Sequence, residues 1–397
     1  MESKLIFEDK EIIIPGAKNS ILPIIAASLL IRGKTEIKNV SKLEDIQNML
    51  KIIIKLGVKV EFSNGNLLIN ASKINNLNPD SKLVKKLRAS FLIFGPLLFR
   101  NKQVKIAKPG GCSIGSRKID LHLKGLKSFS CSIEENDFIK GNLLNPVPVN
   151  LELDYPSVGA TEHLISLATV VPGISKLSNA AIEPEVLDLV EFLKSAGANI
   201  KQKGTTFVIK GADLHSTSFT PIPDRIFTAT WIVTALLKRK NIQLINFNYD
   251  LLGSFFETLK ELGVLIEVNN GIINIICPKE LKPFYIKTGS FPAFPTDIQP
   301  FMAVLACTIK GKSIIEETIF ENRFAYVNEL NKIGANIKIE GNRLIINYSK
   351  LTGGTVIGKD LRGTMALYLA SLISSKPFII KNKNYINRGY ENFEVEL

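Results

Sequence analysis

The 397-residue sequence predicts an α/β protein built from repeated helix-and-hairpin modules, six in number and grouped as two domains of three. Two recurring patterns and the chain length predict this. The length exceeds the roughly 250–300 residues at which one hydrophobic core stops growing, so at least two cores are expected.

The first pattern reads apolar-x-x-apolar-Gly-apolar-x-apolar, then a turn and a short apolar run. It occurs as KLGVKVEFSNGNLLI from Lys55, SAGANIKQKGTTFVI from Ser195, ELGVLIEVNNGIINI from Glu261 and KIGANIKIEGNRLII from Lys332. A worn copy, SFSCSIEENDFIKG, starts at Ser128. Each copy predicts the end of an amphipathic helix, a glycine cap with φ > 0, and a β-hairpin turning at Asn-Gly, Lys-Gly or Glu-Gly. The caps fall at Gly57, Ser130, Gly197, Gly263 and Gly334, a period of about 70 residues.

The second pattern is a polar start, an apolar helix of about a dozen residues, a turn and an apolar strand. It occurs at 17–40, 88–107, 159–180, 223–247, 296–318 and 360–382. That makes six copies against five hairpins. A sixth hairpin would fall beyond Leu397, so the last module is expected to be shortened. The domain boundary is expected near Asp224, halfway through the count. Such an array points several helix N-termini in related directions, and each carries about half a positive charge suited to a phosphorylated ligand.

Composition narrows the function classes. Apolar residues are 45% and charged residues 22%, a globular balance. The longest apolar runs, 21–31 and 91–99, are too short to cross a bilayer and each contains a proline. The charged N-terminus has no signal-peptide pattern, so a cytoplasmic location is expected. Lys and Arg are spread along the chain despite a net charge of +13, which argues against a nucleic-acid partner. His122, His163 and His215 lack close metal-ligand spacing and no CxxC pair occurs, so neither a metal nor a cofactor is expected.

The sharpest local signal is KPGGCSIGSRKIDLHLKGL, 108–126. Gly110, Gly111 and Gly115 bracket Cys112 in a stretch too flexible for an element interior. Lys108 and Arg117 flank the thiol, and such cations favour the thiolate and bind phosphate or carboxylate. Cys131, Cys277 and Cys307 lie in apolar runs and are expected to be packing residues. Taken alone, Asn19 would be an N-cap, Lys18 a surface lysine and Asp297 a capping residue.

Eight segments in register resemble the UDP-N-acetylglucosamine 1-carboxyvinyltransferase (enolpyruvyl transferase) family of the EPSP synthase superfamily. They are GAKNSILPIIAASLL, LRASFLIFGPLL, PGGCSIGSRKIDLHL, IEPEVLDLVEFL, FPTDIQPF, FENRF, KDLRG and NRGYE, in order between Gly16 and Glu391. The resemblance implies an inside-out α/β barrel of two three-module domains, 18–225 and 1–17 with 226–397, with the active site in the cleft between. It implies transfer of the enolpyruvyl group of phosphoenolpyruvate to the 3-hydroxyl of UDP-N-acetylglucosamine, the first committed step of peptidoglycan synthesis.

Residue by residue, the resemblance gives Lys18, Arg117 and Arg388 to phosphoenolpyruvate, with Asn19 beside it. Cys112 is implied as the acid that can also form a covalent adduct, and as the thiol attacked by fosfomycin. Asp297 is implied as the base for the sugar 3-hydroxyl. Arg88, Arg117, Lys118, Ile119, Asp120, Leu121, Tyr155, Pro156, Ser157, Val158 and Ile319 are implied sugar-nucleotide contacts, and Asp360 and Arg362 complete the site. Arg362 is expected to be structural.

The sequence departs from the family at Lys118, where proline is usual, and in the worn module from Ser128 to Leu153. The absent last hairpin is expected to thin the sheet that also holds the N-terminal strand. A catalytically inactive paralogue kept as a binding or regulatory protein is the alternative reading. A monomer or weak oligomer is expected.

Overall fold

The computed structural model describes residues 2–110, 115, 119–391 and 393. Cys112, Arg117 and Lys118 therefore lie outside the described residues. Contacts divide the chain into two units, one built mainly from Met1–Pro15 and Pro223–Leu397, the other from Gly16–Gly111 and Arg117–Ile222. At the crossings, the Asp224 amide donates to Pro15 O in the first unit and the Ala17 amide to Ile222 O in the second, each at 2.8 Å.

All five hairpins form, the worn copy included: Lys59–Ser63 with Asn66–Asn70, Ser132–Glu135 with Phe138–Asn142, Asn199–Lys203 with Thr206–Lys210, Leu265–Asn269 with Ile272–Ile276, and Asn336–Glu340 with Arg343–Asn347. Each follows a helix that ends in the same pair of backbone bonds. In the first copy the Val58 amide donates to Ile53 O and the Gly57 amide to Ile54 O, and the other four repeat this spacing. That pair of hydrogen bonds requires a left-handed residue after the helix. Gly57, Gly197, Gly263 and Gly334 supply it with φ of 93°, 102°, 90° and 98°, and Ser130 is held at 66°. The hairpin turns differ from expectation in one respect. Asn64–Gly65 and Asn270–Gly271 have φ > 0 at both central residues, but the Lys-Gly and Glu-Gly copies turn one residue later, at Gly204–Thr205 and Gly341–Asn342. There only the leading glycine has φ > 0, the pattern of a type II′ turn.

The six apolar helices also form: Lys18–Ser28, Phe94–Asn101, Val158–Ala168, Arg225–Leu237, Gln299–Cys307 and Leu361–Ser371. A helix apolar on every side has no face to give to water, so it must be central. All thirteen residues of Arg225–Leu237 and all nine of Gln299–Cys307 are buried. The amphipathic helices, such as Glu44–Lys55 and Pro184–Ser195, bury one side only. In the second apolar copy, 88–107, a 3₁₀ turn over Arg88–Ile93 precedes the α-helix. Pro96 falls in the first turn of that α-helix, where an amide has no partner within the helix to lose, whereas Pro23 is carried inside Lys18–Ser28.

Each hairpin is extended by the strand that follows its apolar helix, and in three modules a parallel strand completes the sheet. Thr217–Phe219 runs beside Lys34–Ile37, Asn150–Glu152 beside Ile174–Ser178, and Tyr285–Lys287 beside Lys312–Glu316. Thr217–Phe219 comes from the end of the third module and joins the sheet of the first, which closes that unit on itself. The N-terminal expectation is corrected here. Lys4–Phe7 pairs with Ile242–Ile245 in a five-stranded sheet, while among the described residues the thin sheet of the last module holds Gly354–Ile357 and Phe378–Lys381. Among the described residues, no helix is long and apolar enough to cross a membrane.

Candidate active site

The central helices are sealed along their length, so their N-terminal ends are where chemistry can be presented. In the unit containing residues 16–222, Lys18 opens the first apolar helix with its ammonium 3.1 Å from Asp45 Oδ2, both side chains nearly buried. A buried pair of this kind fixes the position of the ammonium, and loss of either member strands the other charge. The N-cap position is Ala17, not Asn19, so the bland reading of Asn19 fails, as does that of Lys18 as a surface residue. Ser157 does cap Val158–Ala168, its hydroxyl accepting from the Ala160 amide at 3.4 Å, while Tyr155 beside it is half-exposed. Ile119 precedes the helix Asp120–Ser128, with Asp120 exposed in its first turn and Leu121 buried. Arg88 starts the 3₁₀ turn.

The cysteine loop is entered through Gly110, where a Cβ would collide with Lys85 O. Close backbone approach, rather than flexibility, requires glycine at that position. Lys108, expected to act on the thiol, is paired with Glu135 at 3.1 Å. Burial pushes the Cys131 and Cys307 thiols up to about 11 and raises that of Cys277, so all three are poor thiolates, as packing residues should be.

Asp188 was not singled out by sequence reasoning, yet it packs against the start of the first helix. Burial raises its carboxyl to about 7, against bonds from the Ile222 amide and Ser20 and with Glu185 and Glu191 adding repulsion. The folded pKa lies above the unfolded value of 3.8, so the folded state holds the extra proton and loses stability as pH rises from about 4 to about 7. Asp188→Asn keeps an acceptor for Ile222 and removes that loss. Its stability gain over wild type should be larger at pH 8 than at pH 5, by on the order of 2 kcal/mol. Melting curves at the two pH values check this, and an equal or smaller gain at pH 8 would contradict it.

In the unit containing residues 223–397, the helix Gln299–Cys307 begins after Ile298, and Asp297 does not cap it. Two buried arginines hold its carboxylate instead. Arg323 Nη2 donates to Oδ1 at 2.7 Å, and Arg362 Nε and Nη2 donate to Oδ2 at 3.1 and 3.0 Å. Asp297 itself keeps 27% side-chain exposure against 2% and 6% for the arginines, so a ligand can reach the carboxylate but not displace its holders. Burial disfavours the Arg362 charge, yet Asp297, with Tyr390 and Asp224, outweighs it and raises the guanidinium pKa. Asp360 caps Leu361–Ser371 by accepting the Arg362 and Gly363 amides, each at 3.0 Å. Ile319 is 38% exposed on a turn organised by Glu317, whose Oε1 accepts the Ile319 and Phe320 amides. Arg388 ends the 3₁₀ turn Lys383–Arg388.

Comparison with known proteins decides the family. The family described as EPSP synthase (3-phosphoshikimate 1-carboxyvinyltransferase) matches residues 8–397. UDP-N-acetylglucosamine 1-carboxyvinyltransferase 2 of Caldanaerobacter subterraneus subsp. tengcongensis is 41% identical over 392 residues, 98% of this chain and 94% of its own. The enzyme of that name from Buchnera aphidicola subsp. Baizongia pistaciae is 42% identical over 98% of this chain and 94% of its own. The chain belongs to the UDP-N-acetylglucosamine 1-carboxyvinyltransferase family.

Members of the wider superfamily share the fold. The enolpyruvyl transferase NikO from Streptomyces tendae superposes with a TM-score of 0.87 at 22% identity, covering 98% of this chain and 95% of its own. EPSP synthase from Acinetobacter baumannii gives 0.72 at 16%, covering 98% and 96%. The six-module architecture is therefore the inside-out α/β barrel fold of enolpyruvyl transferases. Within this carboxyvinyltransferase chain, sequence reasoning assigned Asp297 but passed over its partner Arg323. The signal for it is the charge inside FENRF. Arg362, expected to be structural, holds the same carboxylate. No group of three or more metal-ligating side chains occurs among the described residues.

Proposed function

We propose that the protein transfers the enolpyruvyl group of phosphoenolpyruvate to the 3-hydroxyl of UDP-N-acetylglucosamine and releases phosphate. The reading is supported by relatives of that name at about 40% identity over nearly the whole chain, together with the arginine-held carboxylate of Asp297. Asp297 takes the proton of the sugar 3-hydroxyl as that oxygen bonds to C2 of phosphoenolpyruvate, and Cys112 supplies a proton to C3. Loss of phosphate from C2 and of a proton from C3 then restores the enol ether. Lys18, Arg117 and Arg388 hold the phosphate and carboxylate of phosphoenolpyruvate beside Asn19, since fixed cations match both groups.

Arg88, Arg117, Lys118, Ile119, Asp120, Leu121, Tyr155, Pro156, Ser157, Val158 and Ile319 contact the sugar nucleotide, and Asp360 and Arg362 complete the site. The enzyme would act in the cytoplasm, as a monomer or weak oligomer, at the entry to peptidoglycan synthesis and so to cell shape and division. Fosfomycin, a phosphonate epoxide of similar size and charge to phosphoenolpyruvate, would be attacked by Cys112. Phosphate release tests the reading. It should require both phosphoenolpyruvate and UDP-N-acetylglucosamine, and shikimate 3-phosphate should not replace the sugar nucleotide. Release with shikimate 3-phosphate alone as acceptor would overturn it.

A further inference from the structure

The Arg362 guanidinium has a third partner that the proposed reaction does not use. Nη1 donates to Tyr390 Oη at 3.2 Å, and Tyr390 Oη lies 2.8 Å from Thr230 Oγ1. Thr230 in turn donates to Ile226 O at 2.7 Å. A hydroxyl has one hydrogen, and that of Thr230 is committed to the Ile226 carbonyl. Thr230 must then accept from Tyr390, which leaves the phenol lone pairs facing Arg362. Every hydrogen in the chain Arg362 to Tyr390 to Thr230 to Ile226 is thus assigned, and it runs one way.

We infer that Tyr390 is a positioning residue, holding Arg362 so that Nε and Nη2 together face Oδ2 of Asp297. The inference rests on the reading of Asp297 as the base. All three guanidinium nitrogens are engaged, two by the carboxylate and one by the phenol, so the group cannot turn without breaking a bond. Arg362 is 5% exposed and Tyr390 2%, so bulk water does not compete with the phenol for the guanidinium. Burial also raises the Tyr390 pKa, which keeps the phenol neutral and its hydrogen in place. The ring itself is held separately, against Phe393 at a centroid distance of 5.4 Å and Phe227 at 6.4 Å. Tyr390→Phe therefore removes the hydroxyl and keeps the packing.

The test compares Tyr390→Phe, Thr230→Val and Thr230→Ser in the full-length enzyme. Tyr390→Phe and Thr230→Val should each lower kcat about tenfold, with KM for both substrates within about twofold of wild type. Thr230→Ser, which keeps the hydroxyl, should stay within about twofold in kcat. The Tyr390→Phe and Thr230→Val double variant should lose no more than Tyr390→Phe alone, because both cut one chain. Unchanged kcat in Tyr390→Phe, losses that multiply, or a KM that rises while kcat is spared would overturn the inference. If Tyr390→Phe does not fold, Thr230→Val carries the same test. Absence of turnover in the wild type would sink the functional reading instead. A crystal structure of Tyr390→Phe would then decide the inference, which fails if Arg362 still meets Oδ2 through Nε and Nη2.

Discussion

Asp297→Asn is expected to lower kcat by about 10³-fold while UDP-N-acetylglucosamine still binds, because general-base assistance contributes roughly 10²–10⁴. An amide cannot take the 3-hydroxyl proton. Its NH2 would also face a guanidinium N–H, since Oδ1 accepts from Arg323 and Oδ2 from Arg362. Both arginines are buried, and loss of their counter-charge should destabilise the unit by about 3–5 kcal/mol. Kinetics must therefore be run well below the melting temperature of the variant, with sugar-nucleotide binding followed by calorimetry. A folded, binding-competent variant with kcat within tenfold of wild type would remove Asp297 from the role of base.

Cys112→Ala is the second large effect, with turnover reduced by at least about 10²-fold and sugar-nucleotide affinity retained, since the thiol acts on the phosphoenolpyruvate side. Cys112→Asp should keep part of the activity, because a carboxylic acid can still donate a proton. In the wild type, fosfomycin should inactivate irreversibly, faster with UDP-N-acetylglucosamine present. Peptide mapping should place the adduct on Cys112 alone, because burial keeps the thiols of Cys131, Cys277 and Cys307 protonated. Labelling of one of those three, or full activity after long exposure, would contradict the assignment.

The modular architecture was legible because its signals are local. A left-handed cap after a helix and Asn-Gly at a hairpin turn are each decided within a few residues, and Gly57 to Gly65 shows both. Even the worn copy at Ser128 folds as a hairpin, since Ser130 can be held at φ > 0 by the same pair of backbone bonds. Non-local choices were not legible. Whether Lys4–Phe7 joins the last module or pairs with Ile242–Ile245 depends on which sheet edge is open after folding, which no spacing records. The candidate site divides in the same way. Motifs singled out Lys18 and Asp297, but their partners Asp45, Arg323 and Arg362 lie 27, 26 and 65 residues away and meet them only through packing of helix ends. The 3₁₀ start at Arg88–Ile93 was not legible either, since Pro96 lacks an amide but so does Pro23, which lies inside the continuous helix Lys18–Ser28.

The central claim is that one enolpyruvyl group moves intact to one sugar hydroxyl, and the product itself tests this. The purified protein is incubated with ¹³C-labelled phosphoenolpyruvate and UDP-N-acetylglucosamine, and the sugar nucleotide is analysed by mass spectrometry and NMR. The account predicts a UDP-sugar bearing the labelled enolpyruvyl ether on its 3-hydroxyl, formed in step with phosphate. Labelled pyruvate beside unchanged UDP-N-acetylglucosamine, or no turnover with both ligands bound, would contradict it.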